Sequence, residues 1–329
     1  MSTIKLQKAL GPIAKLFEDP QVMEIMIDGT QRVTVEKRGK IEDTGIRFKT
    51  NDEVMAVIEA TLKTAGVEME EGRTVYEVRL TDNSRMSAVL MPTAIDGHCV
   101  IFRKWMSNQI TWEKLLEFNA ITPEMRDLIQ SAINAHVGIL IAGGTASGKT
   151  TVANRVAELI PADERVVVVE DSHQYQIKHP RAIFLEAKGT PNMTMNDVIN
   201  AGSKMRPDWL VVGELEGAEA MRAMQTFGTG YSGITTMHAT SAENALTRLE
   251  TMCLMANLGV GMEDIRQIIV SGLRLIAYQE RLPNGQRKVV QIVELKGLED
   301  GRYILQPLVR YNAEKDQFES TGMKASWQK

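Results

Sequence analysis

The sequence predicts an α/β protein in which a buried parallel sheet carries a phosphate-binding loop, with a smaller α+β domain before it. Three observations support this fold class. Residues 143–150 read G-x-x-x-x-G-K-T, the pattern of a loop that joins a strand to a helix around a phosphate chain. After this loop, short apolar strands alternate with helical periods, as in a parallel sheet. The first hundred residues instead contain short alternating segments that are typical of an antiparallel sheet.

The phosphate-binding loop has the flanking elements that its function requires. Residues 138–142 are apolar and bounded by glycine, as in a strand that is buried on both faces, and residues 151–160 have helical periodicity. Backbone N–H groups of such a loop point at a phosphate chain, and the helix dipole strengthens their field. Lys149 is expected to reach the β- and γ-phosphates of ATP, while the Thr150 hydroxyl ligates Mg²⁺. The predicted nucleotide-binding residues of this loop are Gly143, Gly144, Thr145, Ala146, Ser147, Gly148, Lys149, Thr150 and Thr151.

The length and composition are those of an ordinary globular protein with about two domains. The chain has 329 residues and a formal net charge of −4, so nucleic acid is not expected as the main partner. Cys99 and Cys253 are far apart in sequence, which favours two reduced thiols in a cytosolic protein over a disulfide framework or a metal site. The first residues lack the pattern of a signal peptide, and no apolar run reaches about 18 residues. We therefore expect a cytoplasmic protein that meets a membrane only from outside the bilayer.

The N-terminal part predicts a separate α+β domain. A short helix at residues 11–17 precedes two strands that are joined by the turn Asp28-Gly29. Thr50 to Glu53 has the pattern of a capping box, and it begins a helix that ends at Gly66. Further strands of one antiparallel sheet are predicted at residues 75–80, 85–90 and 98–103.

A boundary between the two domains is predicted near residue 115. Residues 105–118 mix a loop with a short helix, and Thr122-Pro123-Glu124 then opens a helix in the usual order of N-cap, first position and first-turn acid. That helix leads directly into the strand before the phosphate-binding loop. The predicted domains are therefore residues 1–115 and residues 116–329.

Two strands after the loop end in acidic residues that are candidates for catalysis. Residues 166–169 form a β-branched run followed by Glu170 and Asp171, and residues 209–212 lead to Glu214. Acids at the carboxyl ends of parallel strands lie at the edge of the sheet where ligands bind. Glu214 is predicted to orient the water that attacks the γ-phosphate. A solvated acid at the end of a strand is the alternative for each position.

The last part of the chain predicts one more polar strand end and a group of C-terminal strands. Residues 234–238 end at His238 after a glycine-rich segment, and such a histidine is either a structural group or a phosphate contact. Methionine-rich helices are predicted at residues 241–257 and 262–271, and their apolar stripe indicates core or a subunit contact. A helix is also predicted at residues 195–204, and strands at residues 183–186, 275–281, 287–295 and 303–311.

Several short motifs follow one another along nearly the whole chain. They are Asp82-Asn83-Ser84-Arg85, Ile101-Phe102-Arg103-Lys104, the phosphate-binding (Walker A) loop, Val169-Glu170-Asp171, Met205-Arg206-Pro207-Asp208, Val212-Gly213-Glu214 (Walker B), Thr236-Met237-His238 and Arg248-Leu249-Glu250-Thr251-Met252. In this order they resemble the secretion ATPase superfamily, which powers type II and type IV secretion and type IV pili. Within it, the sequence looks most like the Tad (Flp) pilus assembly ATPases of the CpaF type.

This resemblance implies a RecA-like ATPase domain preceded by a PAS-like domain, in a homohexameric ring with nucleotide between the two domains. It implies an ATP-hydrolysing motor at the inner face of the cytoplasmic membrane, where a membrane-embedded platform protein is its partner. It also implies that Glu170, Glu214 and His238 take part in hydrolysis. Two N-terminal arginines, Arg85 and Arg103, are implied to contact the phosphates.

One position departs from the pattern of the family. Glu216 stands where the family usually has arginine, two residues after the Walker B acid. Phosphoryl transfer commonly uses an additional arginine to balance the charge of the γ-phosphate. Within the predicted ATPase domain, Arg206 lies next to a motif and is therefore the candidate for this contact with the nucleotide.

Two other classes of function remain open from the sequence. A metabolic kinase would also contain a phosphate-binding loop, but it would need a lid and an acceptor site in place of the N-terminal domain. A scaffold that binds nucleotide without hydrolysis would not need Glu214. The sequence also leaves open which machine is driven: pilus assembly, pilus retraction, protein secretion or conjugative DNA transfer.

Overall fold

The computed structural model describes residues 10–37, 40–105, 110–188 and 192–328. The chain forms two compact units, Met1–Asn108 and Gln109–Lys329. Among the described residues, the buried apolar side chains form one cluster in the first unit and two in the second. Since each unit has a core of its own, we treat them separately as the N-terminal domain and the C-terminal domain.

The N-terminal domain is an antiparallel sheet with a helix against one face. Its elements are α1 (Ala14–Glu18), β1 (Val22–Asp28), β2 (Arg32–Lys37), β3 (Lys40–Asp43), α2 (Asn51–Ala65), β4 (Val75–Arg79), β5 (Arg85–Val89) and β6 (Cys99–Arg103). Within the described residues the sheet has six strands in the order β3-β2-β1-β6-β5-β4, and all neighbours are antiparallel. Ile58 of α2 is buried in one cluster with Ile25 and Phe102 of the sheet. The alternating pattern therefore leaves the opposite face of the sheet outside this core.

The structure confirms the predicted hairpin and the predicted end of α2, and it changes one half of the predicted capping box. Asp28 pairs with Arg32 across the predicted hairpin, and Gly66 ends α2 with a φ of 75°. The Thr50 side chain accepts a hydrogen bond from the Glu53 N–H at 3.3 Å. The Glu53 carboxylate, however, accepts from the Lys49 N–H at 2.8 Å, which is one residue before the N-cap. The second half of the predicted capping box is therefore displaced by one residue.

The C-terminal domain is a mixed sheet with helices on both faces. Its helices are α3 (Trp112–Glu117), α4 (Pro123–Asn134), α5 (Lys149–Ala157), α6 (Met195–Ser203), α7 (Glu219–Gly228), α8 (Ala242–Met255) and α9 (Met262–Gly272). Its strands are β7 (Ile139–Gly143), β8 (Val166–Glu170), β9 (Ala182–Glu186), β10 (Trp209–Leu215), β11 (Ser232–His238), β12 (Leu275–Arg281), β13 (Arg287–Glu299), β14 (Arg302–Asn312) and β15 (Gln317–Ser320).

The strand order places the carboxyl ends of the parallel strands at one edge of this sheet. Within the described residues the order is β15-β14-β13-β12-β7-β11-β10-β8-β9. The neighbouring strands β12, β7, β11, β10, β8 and β9 are parallel to one another. Strands β13, β14 and β15 extend the sheet as antiparallel strands. One buried cluster contains residues of α3, α4 and α5, and the other contains residues of α6 to α9. Because helices cover both faces, β7 and β8 are fully buried, which explains their continuous apolar sequences.

The sequence missed three elements and predicted the others within a few residues. Strands β3 and β15 are short and mostly exposed, so no apolar alternation marks them. Helix α7 starts after Ala218, without a side-chain cap. The Glu219 carboxylate instead accepts hydrogen bonds from the N–H groups of Glu216 and Gly217, at 2.6 and 2.7 Å. The usual signal of a helix start is therefore absent from the sequence.

No helix of the described residues is long and apolar enough to cross a membrane. The longest of them, α2, has 15 residues, whereas a membrane span needs about 20.

The predicted domain boundary near residue 115 falls inside an element of the C-terminal domain. The two compact units meet between residues 108 and 109. Trp112 and Leu115 of α3 are 7% and 4% exposed and belong to a cluster that also contains residues of α4 and β7. The short helix predicted within residues 105–118 is α3, and its packing on the C-terminal domain depends on residues that come later in the chain.

We expect a C-terminal fragment that begins at residue 116 to be less stable than one that begins at residue 110. The shorter fragment lacks Trp112 and Leu115, and loss of a buried tryptophan alone costs about 3 kcal/mol or more. Thermal unfolding of the two purified fragments measures the difference. Equal midpoints would show that α3 does not contribute to this core.

Candidate functional site

The phosphate-binding loop lies between the carboxyl end of β7 and the first turn of α5, as predicted. Helix α5 begins at Lys149, and Gly148 is its N-cap with a φ of 97°. This left-handed conformation is favourable only for glycine. No side chain caps the helix. The sequence of strand, glycine-rich loop and uncapped helix is the usual arrangement of an anion site at a helix N-terminus.

The C-terminal hairpin formed by β12 and β13 packs against the same loop. Arg287 Nε donates a hydrogen bond to the Ala146 carbonyl at 2.8 Å, and Ala146 has a φ of 56°, which is uncommon for a residue with a side chain. A Cβ at position 143 would lie 2.3 Å from the Gln279 carbonyl oxygen, so only glycine fits there. Sequence reasoning missed Gln279 and Arg287, since neither belongs to a motif and both lie far along the chain.

Lys149 contacts two side chains from neighbouring strands. Its Nζ donates to the Gly144 carbonyl at 3.2 Å and to His238 Nδ1 at 3.1 Å, and it lies 3.4 Å from Glu214 Oε1. The side chain is 7% exposed. Burial lowers the pKa of Lys149, and the negative charge of Glu214 opposes this change. An anion bound in the loop would give this desolvated ammonium a stronger counter-charge.

The strand order brings Glu214 and His238 to the loop. Strand β11 lies between β7 and β10, and His238 pairs with Gly143 at the end of β7. The register of β10 against β11 shifts between Val212 and Glu214. His238 Nε2 lies 3.2 Å from Glu214 Oε1.

Glu214 Oε1 is buried without a directed hydrogen bond. Its contacts with Lys149 and His238 have ion-pair distances, but neither has hydrogen-bond geometry within the described part of the chain. A buried carboxylate oxygen normally accepts hydrogen bonds. This oxygen therefore has the capacity to accept one from water.

Glu170 is buried and organises the loop after β8. Its Oε1 accepts hydrogen bonds from the N–H groups of Gln174 and Tyr175 at 2.7 and 2.9 Å, and its Oε2 lies 3.0 Å from His173 Nδ1. Asp171, by contrast, is exposed, and its Oδ2 lies 3.0 Å from Lys188 Nζ. Of the two acids considered at this strand end, Glu170 is the one that faces inward.

A polar cavity of about 60 Å³ connects these groups to the loop. Thr150, Glu170, Glu214 and Thr236 are among its lining residues. A cavity of this size has room for at least one water molecule. The structure therefore assembles the loop, both predicted acids and His238 at the carboxyl edge of the parallel strands.

The residues at this edge also fit the way in which magnesium is held beside nucleotides. Among the described residues, no group of three or more His, Cys, Asp and Glu side chains could hold a metal ion by itself. Mg²⁺ beside a nucleotide needs no such group, because it keeps several waters and binds phosphate oxygens with one or two protein ligands. Thr150 offers a hydroxyl at the cavity, and the acids offer acceptors for metal-bound water.

Arg206, the predicted nucleotide-binding arginine of this domain, lies at the opposite edge of the sheet from the phosphate-binding loop, and its contact with nucleotide stays a prediction. It precedes Trp209, the first residue of β10, and β10 runs parallel to β7 through β11. The seven residues of β10 span roughly 20 Å. The short sequence distance from Arg206 to Glu214 concealed this separation.

Arg85 and Arg103 lie side by side on the N-terminal domain. They pair directly across β5 and β6, and Arg79 of β4 pairs with Arg85 in the same row. All three lie on the face of the sheet that points away from the core of this domain. At the end of the row, Arg103 Nε is 2.7 Å from Glu24 Oε1.

Comparisons with known proteins identify the family. The family described as "Type II/IV secretion system protein" matches residues 6–294. The chain belongs to this family of secretion ATPases. The secretion ATPase is 28% identical over 305 residues to the "Conjugal transfer protein TrbB" of Rhizobium radiobacter, covering 91% of this chain and 92% of that protein. It is also 25% identical to the "Type IV secretion system protein VirB11" of Bartonella henselae, covering 86% and 91% of the two chains.

Solved structures support the fold of the secretion ATPase. The Legionella pneumophila ATPase DotB has a TM-score of 0.60 at 19% identity, covering 86% of this chain and 78% of that chain. The pilus retraction motor PilT with bound ADP has a TM-score of 0.61 at 18% identity, covering 90% and 82%. These likenesses confirm the predicted α/β P-loop fold with an N-terminal domain. The narrower CpaF-type assignment remains a prediction.

Proposed function

We propose that this secretion ATPase hydrolyses ATP with Glu214 as the group that activates water, and uses the energy to move a membrane-embedded platform protein. The observation that carries the proposal is the cluster of Lys149, Glu214 and His238, whose side chains meet within 3.4 Å at the start of an uncapped helix. A phosphate-binding loop alone would serve many functions. A carboxylate beside the lysine of this loop adds a group that can activate water, which favours hydrolysis.

Each residue of the cluster has a defined role in this proposal. Lys149 exchanges its contacts with Gly144 and Glu214 for the β- and γ-phosphates of ATP. Glu214 Oε1, released from the lysine, accepts a proton from water while the water oxygen attacks the γ-phosphorus and the bond to the bridging oxygen breaks. His238 lies between Lys149 and the Glu214 carboxylate, and Glu170 holds the loop after β8.

Magnesium is part of the proposal as the partner of the nucleotide. When bound, Mg²⁺ neutralises charge on the β- and γ-phosphates. Thr150 would hold it by its hydroxyl, and Glu170 and Glu214 would accept hydrogen bonds from its water shell.

We expect Arg103→Ala in the full chain to lower kcat by about tenfold or more, since arginine contacts to the γ-phosphate act mainly in the transition state. Arg32→Ala is a matched control, because both arginines are exposed, at 66% and 60%, and each pairs with one carboxylate through Nε. Steady-state kinetics of both variants make the comparison. Equal activities of the two variants would contradict the role of Arg103.

The proposal includes a ring of six subunits at the inner face of the cytoplasmic membrane. Support comes from the family assignment. If neighbouring subunits complete the nucleotide sites, specific activity rises with protein concentration as rings form. Analytical ultracentrifugation over the same range tests this, and a fully active monomer would contradict it.

Phosphate release by the purified full chain, with ATP and Mg²⁺ but without any acceptor, tests the proposed reaction. A metabolic kinase would release little phosphate without its acceptor, and a scaffold would bind ATP without release. Steady release that depends on Mg²⁺ supports the motor.

Conjugative transfer is the second candidate for the machine that is driven. The match to a conjugal transfer protein over 91% of this chain favours it, while the pattern of sequence boxes favours a Tad pilus. Neighbouring genes separate the two, since prepilin and peptidase genes indicate a pilus and a relaxase gene indicates conjugation.

A further inference from the structure

Tyr175 is a buried tyrosine whose hydroxyl has no directed partner. It is 2% exposed, and within the described residues its Oη makes no hydrogen bond. The hydrogen bond between the Tyr175 N–H and Glu170 Oε1, at 2.9 Å, fixes the backbone at this point. The side chain is therefore held in place while its polar atom remains unused.

The phenol group of Tyr175 lies near Glu170, Glu214 and Thr236, which line the polar cavity beside the phosphate-binding loop. Tyr175 lines this cavity together with Thr150, Glu170, Glu214 and Thr236. Glu214 Oε1 is the second buried atom here without a directed hydrogen bond. A buried polar atom without a partner costs free energy, and it usually indicates a bound water, an ion or a catalytic role. Two such atoms at one cavity indicate a common ligand.

The surroundings keep the phenol neutral. Burial raises the pKa of Tyr175 well above its usual value, and the carboxylates of Glu170 and Glu214 raise it further. The Thr236 side chain opposes this change, from a position that does not give a hydrogen bond of ordinary geometry. A neutral phenol oxygen accepts a hydrogen bond and keeps its own proton to donate. It adds no negative charge beside a triphosphate.

Packing explains the ring of Tyr175 but not its hydroxyl. The ring belongs to a buried cluster with Val152 and Val168, and phenylalanine would fill the same space. Phenylalanine would also avoid burying a hydroxyl without a partner. We therefore expect the hydroxyl to bind a ligand that is present only during turnover.

We propose that Tyr175 and Glu214 together hold the water that attacks the γ-phosphate, so that Tyr175 positions the nucleophile. This rests on the proposed function. One hydrogen of the water is held by Glu214 Oε1 and the other by Tyr175 Oη, and the lone pair of the water oxygen is left to face the γ-phosphorus. As the bond from the water oxygen to phosphorus forms and the bond to the bridging oxygen of ADP breaks, the proton passes to Glu214. The Tyr175 proton does not move.

The test is Tyr175→Phe in the full chain, measured with ATP and Mg²⁺. We expect kcat to fall by about tenfold to a hundredfold, as for loss of one positioned hydrogen bond in a transition state, while ADP affinity stays within about twofold. Binding of ADP with fluoroaluminate, which mimics the transition state, should weaken by the same factor as kcat. Without nucleotide, the thermal midpoint should stay the same or rise, because the variant removes an unpartnered buried hydroxyl.

Tyr303→Phe is the matched control. Its hydroxyl is also buried without a directed partner, but it lies on β14 beside Glu250 and Arg266, away from the phosphate-binding loop. We expect this variant to keep the kcat of the natural chain. If Tyr175→Phe keeps full kcat, the inference is wrong although the proposed function stands. If it loses stability and ADP affinity together with kcat, the hydroxyl is structural and the inference is again wrong. A natural chain that releases no phosphate overturns both proposals.

Discussion

Glu214→Gln is expected to bind ATP and to lose turnover by about 10²- to 10⁴-fold, the usual contribution of a positioned general base. Glutamine has nearly the same shape, so the packing at the end of β10 is preserved. Its amide cannot take the proton of the attacking water. It also cannot form the ion pair with Lys149, whose Nζ is 3.4 Å from Glu214 Oε1, so the lysine is free for phosphates. ATP affinity should therefore remain or increase, and equilibrium binding with single-turnover phosphate release measures both quantities.

Glu216→Gln is the control for the change of charge. It removes the same charge two residues away, and Glu216 is an exposed residue at the rim of the same cavity. We expect it to keep kcat within about twofold, since long-range charge effects at exposed positions are screened by solvent. Normal turnover in Glu214→Gln would contradict the assignment of the general base. An equal loss in both variants would show that the total charge of this edge, and not the position of one carboxylate, determines the rate.

Lys149→Ala is expected to lose nucleotide binding as well as turnover. The lysine is the cation of the loop, and a charged hydrogen bond to phosphate contributes about 1.5–3 kcal/mol, which corresponds to a roughly 10- to 100-fold weaker affinity. Turnover should fall further, because the negative charge on the γ-phosphate oxygens must be stabilised in the transition state. Isothermal titration with ADP and ATP measures binding, and the increase of the thermal midpoint by nucleotide should largely disappear.

Lys204→Ala tests whether loss of any lysine of the C-terminal domain has this effect. Lys204 is exposed at the C-cap of α6, outside the site, and we expect normal binding and turnover. The two variants together with Glu214→Gln separate binding from chemistry. Normal ATP binding by Lys149→Ala would mean that the Lys149 contacts with Gly144 and Glu214 are not exchanged for phosphates.

The sequence by itself determined the class of fold and most of the site. Continuous apolar runs predict β7 and β8, because strands covered on both faces need no polar alternation. The glycine positions, Lys149 and Thr150 define the loop by local chemistry. Glu214 and His238 are predicted at a single edge because parallel strands bring their carboxyl ends together there, while a role of His238 in hydrolysis follows only from the family resemblance. These predictions depend on local geometry, which the identities of neighbouring residues determine.

Tertiary structure decided the features that depend on distant parts of the chain. It moved the start of the C-terminal domain ahead of Trp112, which is buried against helices that come later in sequence. It placed Arg206 at the far edge of the sheet, because the direction of β10 outweighs closeness in sequence. Arg287 donates a hydrogen bond to the Ala146 carbonyl, although the two residues are 141 positions apart. Tyr175, whose hydroxyl is buried without a partner, lines a cavity together with Glu214. Such contacts arise when strands and helices pack, and no local pattern records which distant residues then meet.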